Sequence, residues 1–164
     1  MKAPVRGASA AASLRILSPV PGTVRALADV PDVVFAEELV GPGLAIEPVA
    51  AREQVVLAPA DGTVGALHPH AFALELTGGR SVLVHLGIDT IRLRGEGFSL
   101  HVTAGQVVVA GQVLLTWSPV GVGAAGRATI CPVVALQADP HVLTRLVEPG
   151  AHVEAGDQLF EWAG

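Results

Sequence analysis

The chain has 164 residues, the size of one ordinary domain with enough length to bury a full core. It is 51 % hydrophobic and only 15 % charged, and its net charge of −5 is carried with one lysine, Lys2, and nine scattered arginines, so no basic face is available for nucleic acid. No stretch approaches the ~18 apolar residues of a membrane helix, and the single cysteine, Cys131, forms no disulfide within the chain, as expected of a cytoplasmic protein.

In chain order, residues 1–14 (MKAPVRGASAAASL) read as a loose tail, because the segment GASAAASL is too weakly apolar for a signal peptide. Residues 15–164 read as one domain. Its 19 glycines and 12 prolines, interleaved with many valines, indicate short strands and frequent turns. Ser18–Leu27 (SPVPGTVRAL) repeats as Ala58–Leu67 (APADGTVGAL), with six of ten positions identical. Val102–Trp117 repeats as Val147–Trp162, with both glycines of each copy and the closing tryptophan kept. Strand elements repeated in this way predict an all-β fold of packed antiparallel sheets, a β-sandwich or barrel with internal duplication. Between the first repeats, Asp32 caps one expected helical turn through VVFAEELV, stopped by Gly41-Pro42-Gly43. Its apolar residues Val33, Val34, Phe35, Leu39 and Val40 are either core or an exposed docking patch. Ser118–Arg127 reads as a glycine-rich connection or poor helix, and Asp139–Leu146 as a short capped helix. His141 and His152 sit in polar surroundings and read as surface residues, His101 carries no assigned role, and Cys131 reads as a buried inert thiol.

The stretch His70–Phe98 is the most informative. Two strand-like runs, HAFALEL and SVLVHLG, flank Thr77-Gly78-Gly79-Arg80, and Gly-Gly is a strong signal for a two-residue hairpin turn. That turn pairs Thr77 with Arg80, Leu74 with Leu83 and Phe72 with His85, and makes His70 a diagonal neighbour of His85 on one face, with Cβ atoms roughly 7–8 Å apart. The inference depends on the loop length, since a third loop residue sends one histidine to the opposite face. Two imidazoles aimed at one point suit binding a metal, sharing a proton or holding a phosphoryl group, the alternative being two unrelated core histidines on a buried hairpin.

The motifs His70-Ala71-Phe72, Val84-His85-Leu86-Gly87-Ile88-Asp89-Thr90 and Gly95-Glu96-Gly97-Phe98 resemble those of the glucose-class enzyme IIA of the bacterial phosphoenolpyruvate:sugar phosphotransferase system. The resemblance extends from about Ser18 to Trp162 and takes in Asp32–Glu37, Pro59–Thr63 and Cys131–Val134. It implies a sandwich of the duplicated hybrid motif type and a cytoplasmic phosphocarrier that needs no cofactor. His85 would accept a phosphoryl group from phospho-HPr and pass it to a cysteine of an enzyme IIB domain, in a permease of the glucose or N-acetylglucosamine class. His70 would donate an N–H to a phosphoryl oxygen. Asp32 and Asp89 match the aspartates that receive an arginine of HPr. Val33, Val34, Phe35, Leu39, Val40, Leu83 and Ile91 would contribute to the apolar docking surface, and other regulatory partners fit the family.

The sequence departs from the pattern in two places. His68 stands where better-known members carry a threonine bonded to the active pair, and Leu83 and Leu86 replace aromatic residues found in some members. His68 can supply a comparable hydrogen bond that fixes a tautomer, or point to solvent instead. The glycine-turn strands also resemble biotinyl and lipoyl carriers, but those require a lysine at a hairpin tip and Lys2 is the only one. A zinc hydrolase using His68, His70, His85 and Asp89 is the other alternative, and it has its H-x-H and H-x-x-x-D motifs in the reverse of the usual order. A Zn²⁺ ion on His70 and His85, completed by a partner's carboxylate, is a weaker form of that idea. Met1 and the short tail fit a free-standing protein better than an excised fusion domain.

Overall fold

The computed structural model describes residues 12–164. The first eleven residues of the expected tail therefore lie outside the described residues, while Leu14, also placed in that tail, already opens strand β1. Among the described residues, fourteen short strands form three sheets, and every pairing is antiparallel. The strands are β1 (Leu14–Leu17), β2 (Gly22–Arg25), β3 (Gly43–Pro48), β4 (Gln54–Leu57), β5 (Gly62–His68), β6 (Ala71–Glu75), β7 (Ser81–His85), β8 (Phe98–Leu100), β9 (Val107–Val108), β10 (Val113–Trp117), β11 (Cys131–Ala135), β12 (Leu143–Arg145), β13 (His152–Val153) and β14 (Gln158–Trp162). One sheet has eight strands in the order β13-β2-β3-β11-β7-β6-β5-β9; the others are β1-β14-β12 and β4-β10-β8.

The sequence repeats become a pseudo-twofold relation between the two halves. Leu14 pairs with Trp162 as Gln54 pairs with Trp117, and Leu143 pairs with Trp162 as Phe98 pairs with Trp117. The halves also exchange equivalent bonds. The Leu17 N–H donates to the Pro59 carbonyl at 2.9 Å, and the Leu57 N–H donates to the Pro19 carbonyl at 2.9 Å. A two-sheet core, which no single repeat could enclose, lies between the large sheet and the two small ones, with Trp117, Phe72, Phe160, Ile16, Leu44 and Leu74 fully buried.

The opposite face of the large sheet is covered by residues 27–40. Leu27, Val30 and Phe35 pack there on Ala45, Ile88, Ile130 and Val134, with Leu83 and Val40 at the margin. This cover carries the expected helical turn, Val33–Ala36, with the Asp32 carboxylate accepting from the Val34 N–H at 2.9 Å. Of two other local expectations, one is settled between its alternatives and one needs correction. Ser118–Arg127 contains a helix, Pro119–Ala124, because the Ser118 hydroxyl accepts from the Gly121 N–H and proline sits in the first turn. Asp139–Leu146 is not a helix. Asp139 caps only the single 3-10 turn Pro140–Val142, after which β12 pairs with β14, so cross-strand pairing overrides the local cap. His141 and His152 lie exposed beside Asp139 and Glu154, and Cys131 is fully buried, where burial pushes its thiol far above the usual range.

Candidate functional site

The hairpin that carries the two histidines is built differently from the Gly-Gly expectation. Its loop has three residues, Thr77–Gly79, closed by the Leu76 N–H donating to the Arg80 carbonyl at 2.8 Å. Gly78 and Gly79 both adopt left-handed backbone, at φ 76° and 73°. One extra loop residue shifts the register by one, so that Ala71 faces His85, Phe72 faces Val84 and Leu74 faces Val82. Phe72, Leu74, Val82 and Val84 fill the main core, and Leu83 and His85 lie on the other face.

Strand alternation alone would now separate the histidines. They meet because His70 is not a strand residue. It is the second residue of the tight turn Pro69-His70 between β5 and β6, where His68 pairs with Ala71. Its backbone is fixed by the Leu86 N–H donating to the His70 carbonyl at 2.8 Å, and its ring turns toward His85. The ring centroids are 5.1 Å apart at an interplanar angle of 66°. The predicted pair thus exists, although the register that predicted it does not.

His85 is held by one strong contact. Its Nδ1 lies 2.6 Å from the Gly87 carbonyl oxygen. A carbonyl only accepts, so Nδ1 carries the proton and the lone pair of the neutral ring is on Nε2. Two residues that sequence reasoning left without a role make this possible. Gly87 is left-handed at φ 75°, and a Cβ there would lie 2.7 Å from the Ala128 carbonyl oxygen. Thr90 is fully buried, and its hydroxyl donates to the Leu86 carbonyl at 2.8 Å, closing the turn after the histidine. The signal was present in the sequence as glycine two and threonine five positions after His85. The Phe35 ring backs the imidazole at 5.5 Å.

Burial lowers the pKa of His85, while the Gly87 carbonyl, Asp32 and Asp89 oppose that shift. His70 is pushed down to about 4 by burial and then by the neighbouring His85 and His68. Both rings are therefore neutral at pH 7. Asp89 has left-handed backbone at φ 59° and makes no capping bond, whereas Asp32 caps the helix as well as acting on His85. His68 is exposed and stacks on His70, with centroids 5.7 Å apart and an interplanar angle of 28°. This contact is through the ring face and replaces the hydrogen bond anticipated from the sequence.

The apolar surface set divides. Val33, Leu39 and Ile91 are 57 %, 65 % and 65 % exposed, and Val34 is also exposed. Phe35 does not belong to that surface, because the helical period turns it into the core. Val40 and Leu83 are half-buried against the same cluster. Among the described residues, no group of three or more histidine, cysteine, aspartate or glutamate side chains is arranged to hold a metal ion, so His68, His70, His85 and Asp89 do not assemble the site a zinc hydrolase would use. The pseudo-symmetric half has nothing comparable. There the Ala135 N–H donates to the Pro42 carbonyl at 2.8 Å, the counterpart of the Leu86–His70 bond, and Pro42 and Val134 occupy the places of the two histidines.

Residues 14–141 match the model of a family described as the phosphoenolpyruvate-dependent sugar phosphotransferase system, EIIA 1. The chain belongs to this family. Over 118 residues the EIIA chain is 43 % identical to the glucosamine-specific EIICBA component of Bacillus subtilis (strain 168), covering 71 % of this chain and 18 % of that protein. It is 38 % identical over 151 residues to the N-acetylglucosamine-specific EIICBA component of Klebsiella pneumoniae, covering 91 % of this chain and 23 % of that protein. To the glucose-specific EIIBCA component of Corynebacterium glutamicum it is 42 % identical over 128 residues, 77 % of this chain and 18 % of that protein. The EIIA chain thus spans 18–23 % of the length of these curated relatives. Glucose permease IIA from Mycoplasma capricolum has the same fold, with a TM-score of 0.79 at 31 % identity over 91 % of this chain and 95 % of that one. Among the described residues, no helix is long and apolar enough to cross a membrane.

Proposed function

We propose that this EIIA chain is a phosphocarrier in sugar uptake, accepting a phosphoryl group on His85 from phospho-HPr and passing it to the cysteine of an enzyme IIB domain. The observation that carries the reading is the Nδ1–H of His85 held on the Gly87 carbonyl, which leaves Nε2 as the nucleophile beside His70. In the forward step the Nε2 lone pair forms a bond to phosphorus and the P–N bond to the donor histidine breaks, returning its electron pair to the donor ring. The positive charge that develops on the His85 ring is spread to the Nδ1–H and stabilised by the Gly87 carbonyl, with Asp32 and Asp89 nearby. In the onward step a thiolate attacks phosphorus, the new P–N bond breaks, and His85 returns to its neutral tautomer. His70, neutral near pH 7, offers one N–H to a phosphoryl oxygen.

Asp32 and Asp89 flank the acceptor with negative charge, a burden for a bound phosphoryl dianion unless a partner cation neutralises them. That demand fits an arginine of HPr. Val33, Val34, Leu39 and Ile91 form the apolar part of the docking surface around it. An enzyme IIB partner is supported by the relatives, whose printed names join an A unit to B and C units in one chain. The transfer needs no metal; Zn²⁺ on His70 and His85 at a partner interface would be an accessory role.

The test is to mix the chain with enzyme I, HPr and phosphoenolpyruvate and read intact mass and acid lability. The reading predicts an acid-labile gain of one phosphoryl group, lost in His85→Ala. His70→Gln is expected to be phosphorylated but to transfer poorly onward. Normal labelling of His85→Ala overturns the assignment.

A further inference from the structure

The two histidines of the site are held by different means. His85 is locked by its Nδ1–H bond to the Gly87 carbonyl. His70, among the described residues, has no side-chain hydrogen bond on either ring nitrogen, and its ring lies between two others. His85 meets it edge-on at 5.1 Å, and His68 covers its face at 5.7 Å and 28°, within the range of an offset aromatic stack. The backbone fixes this arrangement. His68 and Ala71 pair across a two-residue turn, so the rings of His68 and His70 rise side by side from one tight corner. Pro69, between them, restricts the turn and packs under the Gly95 loop, where a Cβ on Gly95 would sit 3.5 Å from the Pro69 Cγ.

We propose that His68 is a positioning residue that orients His70 through the face of its ring, not through a hydrogen bond or a proton. This inference rests on the phosphocarrier reading for its kinetic consequence, but not for its structural one. A ring held by stacking keeps both nitrogens free. His70 can therefore direct an N–H at the phosphoryl group on His85 without first breaking a bond to the protein. Loss of the stack frees the ring to rotate, and the donor is no longer placed when the phosphoryl group is transferred. His68 is exposed, so replacing it leaves the core intact.

The experiment compares His68→Phe, which keeps a ring face and removes both nitrogens, with His68→Asn, which keeps a polar group and removes the ring, and with His68→Ala. Long-range proton–nitrogen NMR of the unphosphorylated chain reads the order and tautomer of the His70 ring. Single-turnover transfer from phosphorylated His85 to a IIB domain reads its consequence. The proposal predicts that His68→Phe keeps the wild-type His70 signals and transfers within about threefold of wild type. It predicts that His68→Asn and His68→Ala broaden or average those signals and slow transfer of order tenfold, below the ~100-fold that a fully misplaced group can cost, with affinity for the IIB domain unchanged. His68→Phe as slow as His68→Ala overturns the proposal in favour of a hydrogen-bonding or proton-relay role, and wild-type signals and rates in His68→Ala overturn it outright. If the wild-type chain takes no phosphoryl group, the phosphocarrier reading fails, and the NMR comparison still decides whether His68 orders His70.

Discussion

Gly87→Ala tests the link between a backbone conformation and the reactive tautomer. The residue sits at φ 75°, where an alanine costs roughly 1–2 kcal/mol relative to glycine. The added Cβ would meet the Ala128 carbonyl oxygen at 2.7 Å and the Thr90 Cγ2 at 2.8 Å, and neither can move freely. Ala128 accepts from the Ile88 N–H, and Thr90 is buried with its hydroxyl bonded to Leu86. Overpacking of this kind typically adds about 1–3 kcal/mol. The expected loss is therefore about 2–5 kcal/mol, a large share of a typical domain stability of about 5–15 kcal/mol. Urea unfolding followed through the buried Trp117 and Trp162 measures it. Relief of the clash moves the Gly87 carbonyl away from His85 Nδ1. The hydrogen bond lost there is worth about 0.5–1.5 kcal/mol net, so phosphoryl acceptance by folded protein should fall roughly two- to twelvefold. Nitrogen NMR of the His85 ring should show a mixture of tautomers in place of one Nδ1–H form. A variant within about 0.5 kcal/mol of wild type, with a single tautomer and unchanged acceptance, refutes the reasoning.

Other outcomes follow from the same structure. The His70 pKa is held near 4 and that of His85 below the ordinary 6.5, so acceptance should stay flat as pH falls through 6.5, and NMR titration should place both midpoints below that value. Because the unfolded chain binds protons at these histidines before the folded one does, their effect on stability is absent above pH 6.5 and turns unfavourable as pH falls toward 4, which urea midpoints across that window will show. Arg80 donates to the carbonyls of Thr77, Trp162 and Ala12 and lies 5.8 Å from the Trp162 ring, so Arg80→Ala should lower stability by about 1–2 kcal/mol. Arg80 immediately precedes β7, five residues or roughly 16 Å from His85 at the strand's other end, so phosphorylation of the folded variant should be unchanged. Leu39→Asp and Ile91→Asp should weaken binding of HPr in titration calorimetry while leaving the melting temperature within about 2 °C of wild type, because both side chains are mostly exposed.

Much of this protein is written locally. The glycine and valine pattern and the two repeats determined an all-β duplicated fold, because turn chemistry and period-2 strands are properties of short segments, and the repeated bonds of Leu17 and Leu57 follow from the repeated residues. The capped turn at Asp32 and the surface placement of His141 and His152 were legible for the same reason. The motifs around His70 and His85 were enough to name both members of the pair. Tertiary structure decided how the pair forms. A three-residue loop displaced the expected register, and His70 reaches His85 from a turn whose side-chain direction no alternation rule governs. It also decided that β12 is a strand, since a partner on β14 outweighs a local cap, and that Phe35 is core while Val33 and Leu39 are surface. The contacts of Gly87 and His68 with the two histidines became visible only there as well. One depends on where the Gly87 carbonyl lies relative to a ring nitrogen two residues earlier, the other on which face of a ring two residues later is covered, and closeness in sequence fixes neither orientation.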